Sequence, residues 1–538
     1  MGKKLGIDLG TTYSCVSYID ENGQLCTINS SEGTTTTPSV VYLEPGSGTV
    51  VIGAAARQEG AMNPEYMIER AKNYMGQDFT FDLGEKQFSP TAVSSAILKQ
   101  LISDAEEHLG DEEIDGVVIT CPAYFKDPAR NATRAAGENV ELKNGEKLRV
   151  LQILDEPVAA ALAYCAHINE NVNKTVLVYD LGGGTFDVTI VKIDVNGDDK
   201  RIKILTTGGD HQLGGKDWDE CLKEYVINEF CSANGTDADE LRQDAEMRVW
   251  FSENIEKAKI MLTKKDSTTL TVAFNGEKER IEITREKFDE VTSEKLQLTL
   301  SLIDSTLSGK GMTMNEIDEI LLVGSSTKMP QVEARLTAEY GKPVNKYEQD
   351  RAVSMGAAYI ANGYVLGEDT EDGDTTKGGT EDKPVAPDVI KQKDGGTICI
   401  DQACTSSFGL LATRAGEEII ANIIIKDTEK PASQTQRFVT SAPNQTNLNL
   451  RVFENDEREA IAPVIEEQEL YETCVVELEP GLPDRAPIDI TFNLSVDGIL
   501  EIVAVDVTRG KATTVIAQRK GGNAGSEGLD DINSYQLG

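Results

Sequence analysis

The chain contains no apolar run near the roughly 18 residues that a membrane-spanning helix requires. Its start, Met1-Gly2-Lys3-Lys4, passes directly into Leu5-Gly6-Ile7-Asp8 without the apolar stretch and small-residue cleavage site of a leader. Gly2 also lacks the downstream Ser or Thr of a myristoylation signal. Histidine is scarce, with only His108, His167 and His211. The nine cysteines are odd in number and scattered, and the nearest pair, Cys399 and Cys404, lacks zinc-site spacing. A disulfide framework and a structural zinc are therefore not expected, and inert thiols are. Positive charge is short as well: 52 Lys and Arg against 91 Asp and Glu give a net charge of −39. Such a surface repels nucleic acid and anionic membranes, and no basic patch interleaved with aromatics offsets it. These absences point to a cytoplasmic protein with neither a nucleic-acid nor a membrane partner.

At 39% hydrophobic and 27% charged residues the composition is that of a folded globular chain. Its length suggests about three or four domains. Residues 5–365 alternate apolar strand-like runs (Gly116–Thr120, Leu148–Leu154, Thr175–Tyr179, Ile317–Val323) with helical patterns. In Thr91–Leu109, for example, Val93, Ile97, Leu101, Ala105 and Leu109 form one apolar stripe. This alternation implies an α/β domain with mainly parallel sheets. Residues 366–396 are acidic and rich in Gly and Thr, and bury too little to offset their ordering entropy, so they read as a flexible linker. From 397 to 519 short alternating runs follow one another: Glu418–Lys426, Asn447–Phe453, Thr473–Leu478, Ile488–Leu494, Ile499–Val505 and Thr513–Ala517. Asp497-Gly498 reads as a hairpin turn with positive φ at both positions. The segment implies a β-sandwich, and residues 520–538 a flexible tail.

One internal similarity carries most of the functional reading. Gly6-Ile7-Asp8-Leu9-Gly10-Thr11-Thr12 precedes the strand Tyr13–Ile19, and Val178-Tyr179-Asp180-Leu181-Gly182-Gly183-Gly184-Thr185 precedes Phe186–Ile193. Each is an apolar strand ending in Asp-Leu-Gly, a tight Gly/Thr turn and a returning strand. Glycines let turn N–H groups approach phosphate oxygens, and Asp8 and Asp180 are suited to a hydrated Mg²⁺, which prefers oxygen and keeps its waters. Two copies imply two similar lobes facing each other across a nucleotide, with a third Gly turn at Leu322-Val323-Gly324-Ser325-Ser326-Thr327.

These motifs, with Pro122-Ala123-Tyr124-Phe125, Asp155-Glu156-Pro157-Val158-Ala159-Ala160-Ala161, Leu213-Gly214-Gly215 and Met355-Gly356-Ala357-Ala358, resemble the seventy-kilodalton heat-shock chaperone (DnaK-type) family. The similarity continues through Phe408-Gly409-Leu410, Gln434-Thr435-Gln436-Arg437-Phe438 and Asp497-Gly498-Ile499-Leu500, and covers about nine-tenths of the chain. It implies an actin-like nucleotide-binding domain over 1–365, built from a duplicated ribonuclease-H-like fold, and a β-sandwich peptide-binding domain over 397–519. The helical lid of the family is not expected in this chain. The implied activity is slow hydrolysis of ATP to ADP, with Mg²⁺, coupled to binding of unfolded or extended polypeptide. A J-domain co-chaperone and a nucleotide exchange factor are the implied partners. The alternative is an ATP-binding scaffold relative with little hydrolysis and a fixed protein partner.

By resemblance, Lys72, Glu156, Thr185 and Asp187 serve hydrolysis, and Asp8 and Asp180 hold Mg²⁺ through water. Gly10, Thr11, Thr12, Tyr13, Gly182, Gly183, Gly184, Gly214 and Gly215 surround the phosphates. Glu256 and Lys259 match the ribose-binding pair, and Thr263, Gly324, Ser325, Ser326 and Asp350 lie near the base. Ile260 and Lys328 stand where the family has arginines packing on the two adenine faces. Ile398, Cys399, Ile400 and Asp401 match the apolar interdomain linker. Leu410, Phe438, Leu448 and Leu450 match the peptide cleft, with Thr413 and Ser441 at the arch above it.

Overall fold

The computed structural model describes residues 2–364 apart from 169 and 198, then 389–391, 397–519 apart from 415, and 536–537. The first lobe is built on β1 (Lys3–Asp8), β2 (Tyr13–Ile19), β3 (Leu25–Ile28), β4 (Ile114–Cys121) and β5 (Val150–Asp155), in the sheet order β5-β4-β1-β2-β3. The second uses β6 (Val172–Leu181), β7 (Phe186–Asn196), β8 (Asp199–Asp210), β9 (Glu319–Val323) and β10 (Val344–Lys346), in the order β10-β9-β6-β7-β8. Strand directions repeat too, since β1 is antiparallel to β2 and parallel to β4, and β6 is antiparallel to β7 and parallel to β9. The register coincides: Asp8 faces Cys15, and Asp180 faces Asp187, each pair seven residues apart. The similarity of the two hairpins thus extends to two whole sheets.

Helices follow from the expected patterns. In α1 (Pro90–Leu109) the Ser89 hydroxyl accepts the Ala92 N–H, and Val93, Ile97, Leu101 and Ala105 are buried. Two further helices, α2 (Asp127–Glu138) and α3 (Glu156–His167), complete the first lobe. The second carries α4 (Gly215–Asn234) and α5 (Ala245–Lys264), and α6 (Ala352–Gly363) crosses back to pack on the first lobe's sheet beside α3. Between the two lobe cores lies a third apolar cluster, which joins Val118 and Leu151 to Val178, Leu321 and the alanines of α3 and α6. There a Cβ on Gly356 would strike the backbone of Ala159, and one on Gly6 the backbone of Ala358. Only small residues permit this approach of helix to helix and helix to strand.

Three expectations about the chain's boundaries change. Val389–Lys391, inside the segment read as flexible linker, forms β11, and Thr397–Ala403 forms β12, antiparallel to it. The remainder of 366–396 lies outside the described residues. Strand β12 extends the second lobe's sheet by running parallel to β8, so 397–403 belong to that sheet, and the sandwich begins at Ser407. Ile398 is fully buried and Ile400 packs beside it, which supplies the burial that holds an edge strand. At the other end, Gln536–Leu537, read as flexible tail, pair with Thr49 and Val50, while 520–535 lie outside the described residues.

The sandwich has a four-stranded and a six-stranded sheet around one core. The run Asn447–Phe453 is two strands, because the chain leaves the six-stranded sheet after Asn449 and enters the four-stranded one at Val452. At Asp497-Gly498 only Gly498 has positive φ (77°); Gly498 N donates to Ser495 O at 2.9 Å. Asp497 instead reaches the first lobe. Its carboxylate pairs with Arg134, and its carbonyl accepts Arg130 Nη1 at 3.1 Å. Arg130 also pairs with Asp155 at 2.6 Å, and Asp127 accepts the Leu500 N–H at 2.9 Å.

Glu454 is enclosed at this interface and accepts the Asp127 N–H at 3.0 Å. Burial first, and then Asp127 beside it, push its carboxyl from the ordinary 4.5 up to about 7. The docked state therefore holds a proton that separated domains release. Docking should be strongest below pH 4.5, weaken by up to about tenfold per unit toward pH 7, and level off above it. Asp497, also raised by burial, acts in the same direction. E454Q should flatten the slope by about one proton, read as interdomain energy transfer between dyes across this range. Equal slopes in the two proteins would show that Glu454 does not titrate on docking.

Candidate functional site

The two Gly/Thr turns meet tip to tip between the lobes. A Cβ on Gly183 would collide with the Thr12 side chain, and one on Gly184 would lie 3.0 Å from Thr11 Cγ2. A Cβ on Gly214 would lie 2.5 Å from Gly184 N, and Gly215 presses on the Ser326 hydroxyl in the same way. Gly324, at φ 83°, lies against Leu181 O, where a Cβ would be 2.6 Å from Asp180 Oδ1. At Gly214 and Gly324, where the obstacle is backbone, only glycine fits. Behind the turns is a cavity of about 400 Å³, within the roughly 300–1,000 Å³ common for ligand sites.

The acid end collects residues from five elements. Asp8 ends β1, Asp180 and Asp187 face each other on β6 and β7, and Glu156 opens α3. Lys72 comes from a short 3-10 turn, Ala71–Tyr74, and pairs with Glu156, both side chains being buried. Burial, with Glu156 and Asp8 adding to it, raises Asp180 to about 8. Burial and Glu156 raise Asp8 to about 7, against Lys72 and a 3.4 Å hydrogen bond from Thr120. Burial first, then Glu156 and Asp180, hold Asp187 well above the carboxylate range. Four carboxyl groups thus share one cation, a set that suits a divalent metal ion. Among the described residues no three His, Cys, Asp or Glu converge as a metal cage, so such an ion would keep much of its water. Thr185 completes the turn, its carbonyl accepting Gly182 N–H at 3.0 Å.

The other end is lined from α5 and from the turn after β9. Glu256, Lys259, Ile260 and Thr263 lie on one face of α5. Ile260 is 46% exposed and offers its side chain to the cavity. Lys328 reaches Asp350 instead of standing free over the cavity. Asp350 Oδ1 is buried without a hydrogen-bond partner among the described residues, an acceptor that a ligand donor would satisfy. Ser326 donates to Gly182 O at 2.9 Å, and Ser325 lines the cavity beside it.

The pair read as ribose contacts is already engaged. Glu256 accepts Tyr13 OH and Arg57 Nη1, both at 3.3 Å, and so bridges the lobes, while Lys259 donates to Asp219 at 2.7 Å and to Gly215 O at 3.1 Å. In the sandwich, Leu410 is 2% exposed and packs in the core cluster. Phe438, Leu448 and Leu450 are half-buried against that core, and Thr413 and Ser441 are exposed. Cys399 is half-buried in β12, and Asp401 pairs with Arg201 at 2.7 Å.

Sequence reasoning passed over Arg57 and Asp219, whose roles depend on contacts 199 and 40 residues away. It also passed over His211, which stacks on Tyr124 of the other lobe at 3.4 Å between ring centroids. Its rarity and its place beside Asp210 were the available signals.

Replacing Lys72 with Met would leave Glu156 without its cation among buried acids, a loss of about 3–5 kcal/mol at pH above 8. Asp8 and Asp180, raised to about 7 and 8, take up protons as pH falls, so the deficit should shrink toward pH 5. Thermal unfolding of wild type and K72M across this range tests it; an equal deficit at both ends would mean that Lys72 acts through packing.

A family model described as Hsp70 protein matches residues 4–83, 79–374 and 404–534. Its members are generally ATPases that use ATP or ADP with Mg²⁺ and bind unfolded polypeptides. No described helix is long and apolar enough to cross a membrane. The matches extend through both lobes, with their paired Asp-Leu-Gly turns, and through the sandwich, so the chain belongs to the Hsp70 family.

Proposed function

We propose that this chain is an ATP-dependent molecular chaperone that hydrolyses ATP slowly between its two actin-like lobes and couples the nucleotide state to peptide affinity in the sandwich. The observation that carries this reading is the adjacency of Asp155 and Glu156. Glu156 pairs with Lys72 inside the nucleotide cavity, and Asp155 pairs with Arg130, which holds the carbonyl of Asp497 in the sandwich. A shift of the β5–α3 junction is felt at both places.

Phosphoryl transfer asks a protein for positioning and charge rather than covalent chemistry. The Gly/Thr turns would cradle the phosphates, and Lys72 would place its ammonium toward the terminal one. Glu156, held by Lys72, would orient the attacking water, with Thr185 and Asp187 beside it. Magnesium, bound through water by Asp8 and Asp180, would neutralise phosphate charge. Ile260 would cover the adenine with apolar surface, and Asp350 would accept a donor from the nucleoside. Phe438, Leu448 and Leu450 would receive an extended apolar peptide, with Thr413 and Ser441 at the edge. A J-domain co-chaperone and an exchange factor would set the rates of hydrolysis and release. Nine free thiols suit a reducing cytoplasm.

A second reading, an ATP-binding scaffold with little turnover, is favoured by Lys328, Glu256 and Lys259 being held by protein partners. Single-turnover hydrolysis with and without an extended peptide separates the two. The chaperone reading expects peptide-stimulated hydrolysis that K72A abolishes while ATP still binds. Binding without turnover supports the scaffold, and near wild-type turnover in K72A would remove Lys72 from the chemistry.

A further inference from the structure

A second cavity, of about 370 Å³, opens from the first and shares with it the turn residues Thr11, Thr12, Tyr13 and Gly183 and also Glu256, Lys259, Ser325 and Ser326. Its walls are crowded with charge, and the carboxylates there are matched. Arg57 lies 3.4 Å from Glu69 and 3.3 Å from Glu256, and Lys259 pairs with Asp219 at 2.7 Å. Lys223 pairs with Glu220, and Arg242 with Glu224, each at 2.6 Å. Three bases on the same walls, Arg70, Lys216 and Arg248, have no ion-pair partner among the described residues. In a chain of net charge −39 this local surplus of positive charge is out of character.

Two of these bases come from opposite lobes. Arg70 stands at the entry of the Lys72 turn in a left-handed conformation (φ 60°) and lines the cavity. Lys216 lies in the first turn of α4. The Lys216 ammonium sits below its usual range, chiefly through burial, and Arg70 pushes the same way against Asp217. Asp217 and Asp210 attract Lys216, and Asp219 attracts Arg70, but none of them forms an ion pair with either base among the described residues, so an anion between the lobes would complete both. The amides at the start of α4 cannot supply the binding, because Gly215 N and Lys216 N already donate to Gly182 O and Gly183 O. Side chains must do so. A guanidinium and an ammonium beside threonine hydroxyls suit a tetrahedral oxyanion, for which arginine offers paired donors and lysine a point charge.

We infer that this cavity is a second anion chamber, which takes a phosphate oxyanion between Arg70 and Lys216 while the neighbouring cavity holds its nucleotide. The inference rests on reading that neighbour as the nucleotide site. The phosphate could come from free inorganic phosphate or from a short polyphosphate, and the two are separated by using each as a probe.

The test is calorimetry on the full chain saturated with a non-hydrolysable ATP analogue and Mg²⁺, so that the terminal phosphate position is filled. Phosphate and tripolyphosphate are titrated at constant ionic strength. One further anion should bind, and R70A/K216A should weaken it at least tenfold. The double variant should leave analogue affinity and thermal unfolding unchanged, and K223A, which removes an already paired lysine, should have little effect. Saturation by phosphate identifies the free ion, and saturation by tripolyphosphate alone identifies the chain form. No saturable binding by either probe, or equal binding to wild type and R70A/K216A, overturns the inference. If the analogue itself fails to bind, the nucleotide reading falls, and the dependence on Arg70 and Lys216 still decides the chamber.

Discussion

The close crossing of α3 and α6 is the constraint on which the rest depends. Gly356 lies against Ala159, and Gly6 of β1 against Ala358, with alanines filling the seam. Larger side chains would push the helices apart and carry with them the two ends they fix, Glu156 at the start of α3 and Asp8 at the end of β1. Both belong to the acid end of the cavity. The seam's volume therefore sets the spacing between the lobes' carboxyl groups, and packed interiors transmit such displacements rather than absorb them.

Charge is the second organising element. Asp8, Asp180, Asp187 and Glu156 lie together with Lys72 as their cation, and the raised carboxyls of Asp8, Asp180 and Asp187 show how unfavourable the cluster is without a bound cation. A site strained in this way gains most from a bound cation, since burial that penalises unpaired charge strengthens a pair once formed. The same economy appears at the domain interface, where Arg130 is enclosed with Asp155 and the carbonyls of Phe125 and Asp497. The two clusters share the Asp155-Glu156 dipeptide, so the coupling proposed above would need no long path.

The extra strand β12 would give the proposed coupling a mechanical form. Its first half pairs with β8 of the second lobe, and its end pairs with Glu429–Lys430 of the sandwich. Ile398 is buried among lobe residues, while Lys430 lies enclosed near Asp155. A short apolar run thus links both bodies through backbone hydrogen bonds, which specify register without needing particular side chains.

Much of this was legible in the residues themselves. Strand and helix periods, the two Asp-Leu-Gly turns and the Gly-Ala run near Met355 depend on local sterics and amphipathic spacing, which act over a few residues. They determine the α/β lobes, the sandwich and most of the walls of the cavity. Other features were not legible, for physical reasons that can be named. Leu410 matches the peptide cleft by resemblance, and only the packing of the two sheets shows that it is enclosed in the core. Asn447–Phe453 reads as one strand, but the chain changes sheets within it. Glu256 and Lys259 were legible as part of the cavity wall, but their partners Arg57 and Asp219 stand 199 and 40 residues away. The sequence alone determined which residues could form strands, turns and charge. The tertiary structure decided which charges meet, because ion pairs and burial depend on distances in space that chain separation does not encode.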